Sequence, residues 1–266
     1  MRVLFSPLRL SSACIVLLIW SAAVPAAFAQ WTKIPETAPR TADGKPNLSA
    51  AAPRLPDGRP DLSGVWAPPG NRYVRNVAAD LKPEEVPYQP WAKALVDARA
   101  DGSHAREDPA ANCLAPGVPH INAAPPPWKL VQSDGFIVIL FEAFNVWRQI
   151  FLDGREPLRD PNPSWLGYSV GRWEGDTLVV ETSGFNGKAW LDQLGKPTTE
   201  ALRVTERFRR RDFGHMDIQI TIDDPKAYTR PWTVTLPVTL QAGTELLEFV
   251  CENNRDLENL SGERLR

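Results

Sequence analysis

The chain has 266 residues, with 30 Lys+Arg against 32 Asp+Glu, a formal net charge of -2 and 43% hydrophobic residues. That balance excludes a disordered chain, and it excludes a broad basic surface made for nucleic-acid backbones. The 26 prolines outnumber the 17 glycines, the 10 tryptophans are many for this length, and a single all-β barrel can fill a chain of this size.

Residues 1–29 read as a secretory signal peptide. Arg2 and Arg9 form the positive n-region, Leu10 to Val24 the apolar stretch, and Ala27-Phe28-Ala29 the small-x-small cleavage site. The apolar stretch is too short for a spanning helix, which needs about 20 residues, so the sequence predicts an exported protein, periplasmic or extracellular, with no transmembrane segment after cleavage. Cleavage removes Cys14 and leaves Cys113 and Cys251. An even pair in an exported chain predicts a disulfide. It would close a loop spanning more than half of the chain, which loop-closure entropy rates at about 4 to 5 kcal/mol. His120 follows Cys113 across Pro116, Gly117 and Pro119, a spacing that offers no regular geometry for a Cys–His nucleophile.

Residues 30–127 form a Pro-rich, irregular arm. Within it Asp43-Gly44-Lys45-Pro46-Asn47-Leu48-Ser49 is echoed by Asp57-Gly58-Arg59-Pro60-Asp61-Leu62-Ser63. Each copy reads as an Asp-Gly turn followed by a Pro-stiffened extended segment. The second runs into Gly64-Val65-Trp66, whose tryptophan is placed to plug into the main body. Pro90 to Arg99 is the one clear helix candidate: Pro90 starts it, Trp91, Leu95 and Val96 share a face, and Asp101-Gly102 ends it.

Residues 128–252 switch to period two. Phe136, Val138 and Leu140 alternate with Ile137, Ile139 and Phe141, apolar on both faces, which predicts a strand covered on both sides. Val146 to Leu152 follows, and Leu166–Trp173 and Thr177–Ser183 flank the hairpin signal Glu174-Gly175-Asp176. Further strands are expected around Leu202–Phe208, Met216–Ile222, Trp232–Leu240 and Leu246–Cys251, with a polar tail at 253–266. About eight or nine antiparallel strands without long helical crossovers predict an all-β, up-and-down meander closing into a barrel. Eight strands enclose room for one small ligand.

The run Gly167 to Thr182 (GYSVGRWEGDTLVVET), together with Glu206 to Arg210, Thr221 to Pro225 and the repeated Asp-Gly-x-Pro-x-Leu-Ser segment, resembles a family of exported bacterial proteins of unassigned function. The resemblance spans most of the mature chain and implies export, without an activity or a catalytic residue set. In architecture alone the meander is similar to lipocalin-like barrels, carriers of small apolar molecules, with Gly64-Val65-Trp66 as a loose counterpart of their Gly-x-Trp.

Chemistry-bearing residues are sparse. Ser169 sits in a Gly-x-Ser-x-Gly pattern, but a nucleophile elbow needs a following helix, and here a hairpin follows. His104, His120 and His215 show no paired metal-ligand spacing, and no phosphate, dinucleotide or haem motif calls for a cofactor. More informative are charges on apolar strand faces: Glu206 with Leu202, Val204 and Phe208, Glu142 after Phe136, Val138 and Leu140, and Arg148 with Val146, Ile150 and Leu152. A charge facing a core must be paired or hydrogen-bonded, so the pattern predicts a buried Glu–Arg pair, Glu206 with Arg148. His215, with Asp217 two residues on, is a candidate acid/base at a barrel rim. Trp147, Trp165, Tyr168, Trp173 and Trp190 are candidate walls of an aromatic pocket. The leading expectation is a barrel that binds a small apolar or aromatic molecule, oriented by Arg148. The alternatives are a cofactor-independent lyase, isomerase or hydrolase acting through Glu142, Glu206 or His215, and an envelope-associated structural protein whose arm binds a partner.

Overall fold

A computed structural model describes residues 38–251; the expected signal peptide and polar tail lie outside the described residues. Alternation of inward apolar and outward polar side chains builds nine strands: β1 (Gly64–Ala67), β2 (Trp128–Ser133), β3 (Phe136–Phe141), β4 (Val146–Phe151), β5 (Tyr168–Glu174), β6 (Thr177–Ser183), β7 (Arg203–Arg210), β8 (His215–Asp223) and β9 (Trp232–Leu240). They follow one another in sequence order around a closed barrel, which leaves no unpaired edge. The expected hairpins form where the turn residues place them. Gly175 takes a positive φ of 59° between β5 and β6, and Asp212 caps the β7–β8 turn by accepting the amides of Gly214 and His215.

Three features depart from the expected meander. The β4–β5 pair is parallel and meets only at Ile150↔Ser169 and Phe151↔Val170; residues 152–167 carry the chain back before β5 begins, as a parallel neighbour requires. The expected strand at Leu246–Cys251 does not form. Its place is taken by β1, which comes from the arm and pairs with both β2 and β9, so the barrel does not begin at residue 128. Finally, β3 is covered on one side only: Ile137, Ile139 and Phe141 are buried, while Phe136 and Leu140 are 39% and 38% exposed.

The arm is docked along the barrel. The sequence repeat is a structural repeat, with Arg40 bridging Pro46 and Arg54 bridging Pro60 around Gly44 and Gly58 at φ 81° and 84°. Each arginine caps its own turn by donating to the glycine carbonyl, Arg40 to Gly44 at 2.5 Å and Arg54 to Gly58 at 2.7 Å. Arg54 also pairs with Asp176 on the β5–β6 turn at 2.6 Å. The first copy lies against the β7–β8 turn, where the amides of Phe213 and Gly214 donate to the carbonyls of Ala50 and Leu48 at 2.8 and 2.7 Å. Beyond β1 come α1 (Arg72–Arg75) and α2 (Pro90–Arg99), the latter with the expected limits and proline start. The residue α2 buries is Ala92; Trp91 is exposed and donates its indole N–H to the Lys226 carbonyl.

Large side chains fill the middle of the barrel. Trp66, Trp128, Phe208, Leu130, Ile137 and Ile150 are among its fully buried members. Trp66 donates its indole N–H to the Leu62 carbonyl at 3.0 Å, and the Arg210 guanidinium lies 4.9 Å from its ring centroid. Of the basic residues Arg207, Arg209, Arg210 and Arg211, Arg210 thus points inward, on a strand paired on both sides.

Candidate functional site

Period two on four neighbouring strands turns Arg148 (β4), Ser169 (β5), Thr182 (β6) and Glu206 (β7) toward one another inside the barrel, and all four are buried. Arg148 Nη2 pairs with Glu206 Oε2, the ion pair predicted from the sequence, with side chains only 1% and 0% exposed. Arg148 also donates to Ser169 Oγ at 2.9 Å and to Thr182 Oγ1 at 2.6 Å. From the arm, Asn122 Nδ2 donates to Glu206 Oε1 at 2.6 Å. Both carboxylate oxygens of Glu206 are thus engaged, which makes it an anchor for the guanidinium and leaves it poorly placed to act as a base. Arg148 Nη1 and Asn122 Oδ1 are buried with no hydrogen-bond partner among the described residues.

Because β4 and β5 touch at only two residue pairs, the wall parts beside Arg148. A recess of about 430 Å³ opens there, lined by Trp147, Phe151, Trp165 and Tyr168 together with Arg148 and Ser169. Trp147 is 64% exposed at its edge. Phe151 and Tyr168 stack with centroids 5.4 Å apart, Arg155 lies 3.9 Å over the Phe151 ring, and Arg155 donates to the Tyr168 hydroxyl at 3.0 Å. The recess is the size of a small-molecule site, with aromatic walls and a few polar groups.

A second, larger cavity of about 750 Å³ lies where the arm meets the barrel end, lined by residues that include Arg99, Asp108, His120, Phe144 and Phe249. His120 opens a short 3-10 turn, His120–Ala123, that also carries Asn122. Its ring is buried, its Nδ1 lies 3.0 Å from the Trp190 carbonyl, and burial pushes its pKa down. Asp108 is buried too, and burial raises its pKa even though its carboxylate accepts the Ala110 amide. Arg99 stacks 3.9 Å over the Trp190 ring and donates to the Gly195 carbonyl at 2.7 Å. Behind them a buried Lys196–Asp192 pair, 2.7 Å apart, pins the loop after Trp190 to the amide of Val77 after α1.

The residues singled out in the sequence divide accordingly. Arg148, Trp147 and Tyr168 converge on the aromatic recess, with Trp165 beside them. Trp190 belongs to the His120 region, and Trp173 packs against the core from the far part of β5. Glu142 does not face the interior: the side it shares with Phe136 and Leu140 is the outer one, and it lies past the end of β3 in helical conformation, where it accepts the Leu247 amide at 2.8 Å. His215 is held by Asp212 at 2.8 Å rather than by Asp217, which pairs instead with Arg211 at 3.1 Å. Ser169 is a buried partner of Arg148, on a strand and without a helix after it. Cys113 and Cys251 stand at disulfide distance, with Cα atoms 5.6 Å apart. No group of three or more metal-ligating side chains occurs among the described residues, and no helix among them is long and apolar enough to cross a membrane. Sequence reasoning passed over His120, Asp108 and Arg99; a histidine in a cis-proline loop carries no periodic signal, and Val118–Pro119 is cis.

Comparison of the chain with protein-family models, with curated proteins and with solved structures found no match in any of the three.

Proposed function

We propose that this protein is an exported binding protein that holds a small aromatic or apolar molecule in the recess between β4 and β5. The observation that carries the reading is the recess itself, in which aromatic side chains converge on the buried Arg148 and Ser169. The aromatic walls offer stacking area. The guanidinium, already fixed by Glu206, supplies a preorganised donor beside them. Export rests on the signal-peptide pattern and the resemblance to exported bacterial proteins, and the Cys113–Cys251 pair suits an oxidising compartment.

Trp147 makes the reading measurable, because an exposed indole at the mouth of the recess reports on an occupant. Titration with a panel of phenolic and apolar aromatic compounds is expected to give saturable quenching. Trp147→Ala removes one stacking wall without touching the core and is expected to weaken binding two- to tenfold, the equivalent of ~0.5–1.5 kcal/mol for an aromatic contact. No saturable response from any compound of the panel would overturn the proposal.

A further inference from the structure

Closure gives every strand of the barrel two neighbours, but β4 meets β5 only through Ile150 and Phe151. The preceding stretch of β4, Val146 to Gln149, pairs with β3 on one side and with no strand on the other. Across the gap the chain is not extended. Trp165 and Leu166 lie in a bend and Gly167 takes a positive φ of 66°, so this segment stands off as the far wall of the recess. Successive residues of a strand turn their N–H and C=O groups to opposite neighbours. At the end of the β3–β4 ladder the Leu152 amide donates to the Gly135 carbonyl at 2.7 Å, which fixes the parity. Arg148 and Ile150 turn their backbone groups to β3, and Trp147 and Gln149 turn theirs to the gap. Among the described residues no backbone group on that side pairs with Trp147.

We propose that the molecule held in this recess is a short extended peptide, added to β4 as a strand through the backbone of Trp147; the inference rests on the reading of the recess as a binding site and names its ligand class. Unpaired strand backbone is itself a peptide-recognition element, because its donors and acceptors repeat at the spacing of another strand. A phenol hydroxyl sits on one of these groups, whereas a peptide residue reaches both the N–H and the C=O of Trp147 at once. The side chain of that residue then falls beside the Trp147 indole on the same face, where an aromatic ring gains a cross-strand contact. Arg148 is matched by Glu206, and Arg155 by Asp153, so the recess offers no unmatched guanidinium to a charged segment. Ile150 and Phe151 close the seam at one end. The occupant is therefore a free, uncharged peptide of about three residues, matching the length of the unpaired stretch, and not a chain threaded through.

The probe is acetyl-Ala-Phe-Ala-amide, titrated calorimetrically into the full mature protein beside an analogue with an ester in place of the amide that precedes Phe. The peptide is expected to bind saturably and to displace a phenol from the recess. The ester analogue, which lacks one donor, is expected to bind about three- to tenfold more weakly. Hydrogen exchange in the wild-type protein reads the contact directly: the Trp147 amide is expected to slow when the peptide is bound and to keep its rate when a phenol is bound. Equal binding of peptide and ester, an unchanged Trp147 exchange rate, peptide binding that leaves the phenol in place, or phenols that quench where the peptide does not bind would each overturn the peptide proposal while the recess stands as a binding site. Binding of neither peptide nor phenol would overturn both.

Discussion

Arg148 and Glu206 each give up hydration inside the barrel, and neither would be tolerated there alone. Their attraction offsets that loss only because Asn122, Ser169 and Thr182 take up most of the remaining hydrogen bonds. Glu206→Ala is therefore expected to cost ~3–5 kcal/mol, lowering the thermal midpoint by roughly 6–20 °C for a domain of this size. The apolar double variant Arg148→Met/Glu206→Leu is expected to recover most of that loss; a single variant that melts with the wild type would show the pair to be solvated. His120 and Asp108 act in opposite directions with pH. The His120 pKa is depressed below 6.5, so the stability of its neutral, buried form is complete above 6.5 and is lost as pH falls toward the folded-state value. The Asp108 pKa is raised above 3.8, so acidification relieves its burial cost as pH drops through the folded-state value. Removing the histidine leaves only the second effect. Between pH 7 and roughly 5, where an ordinary histidine titrates, His120→Asn is expected to lose less stability than the wild type, measured as thermal midpoint against pH; parallel curves would disprove it. The ion pair was legible because period two is strict within a strand. Glu142 has the same parity as its apolar neighbours, but the backbone leaves the strand there, through Phe144 and Asn145 at φ 64° and 48°, and parity loses its meaning. The role of His120 depends on a carbonyl 70 positions away, which no local pattern encodes.

The hairpins were legible as elements because their turn residues are local and chemically distinctive. β1 was not, since four residues in proline-rich surroundings give no alternation to count, yet it closes the barrel. Gly64 there takes φ 141°, a backbone conformation that suits glycine, and a Cβ on it would also stand 2.5 Å from Leu240 Cδ1, so that the tip of that side chain would have to move. Trp66 then fills the space between β9 and β2, capped by Arg210. Trp66→Ala is expected to cost about 3–5 kcal/mol through the lost burial and the cavity left behind. It is also expected to speed hydrogen exchange at Gln241, whose amide donates to the Val65 carbonyl; protection unchanged there would mean that β1 holds its place without the plug. The parallel β4–β5 seam was equally hidden, because alternation shows which face a strand buries and not which way its neighbour runs. That hidden feature is what parts the wall and makes the aromatic recess.

For the molecule as a whole, Cys113 and Cys251 link the arm to the segment after β9, across a sequence separation of 138. The bond lies beside the larger cavity, whose lining includes Ala110 and Ala111 just before Cys113 and Phe249 just before Cys251. The segment is also held by contacts that do not need the bond: Phe249 packs on Phe144 with centroids 6.0 Å apart, and the Leu247 amide reaches Glu142. Reduction removes one of these ties and leaves the others, while the barrel, whose strands pair without the bond, stays formed. A loop of this length corresponds to about 4 to 5 kcal/mol of loop-closure entropy, so reductant is expected to lower the thermal midpoint by roughly 8–20 °C. Under the same conditions the quenching of Trp147 by an occupant of the recess is expected to persist, because β4 keeps its pairing with β3 without the bond. Thiol titration of the unfolded, unreduced protein is the control, with none expected. Two reactive thiols per chain, or a thermal midpoint indifferent to reductant, would show that the cysteine pair does not brace this part of the molecule.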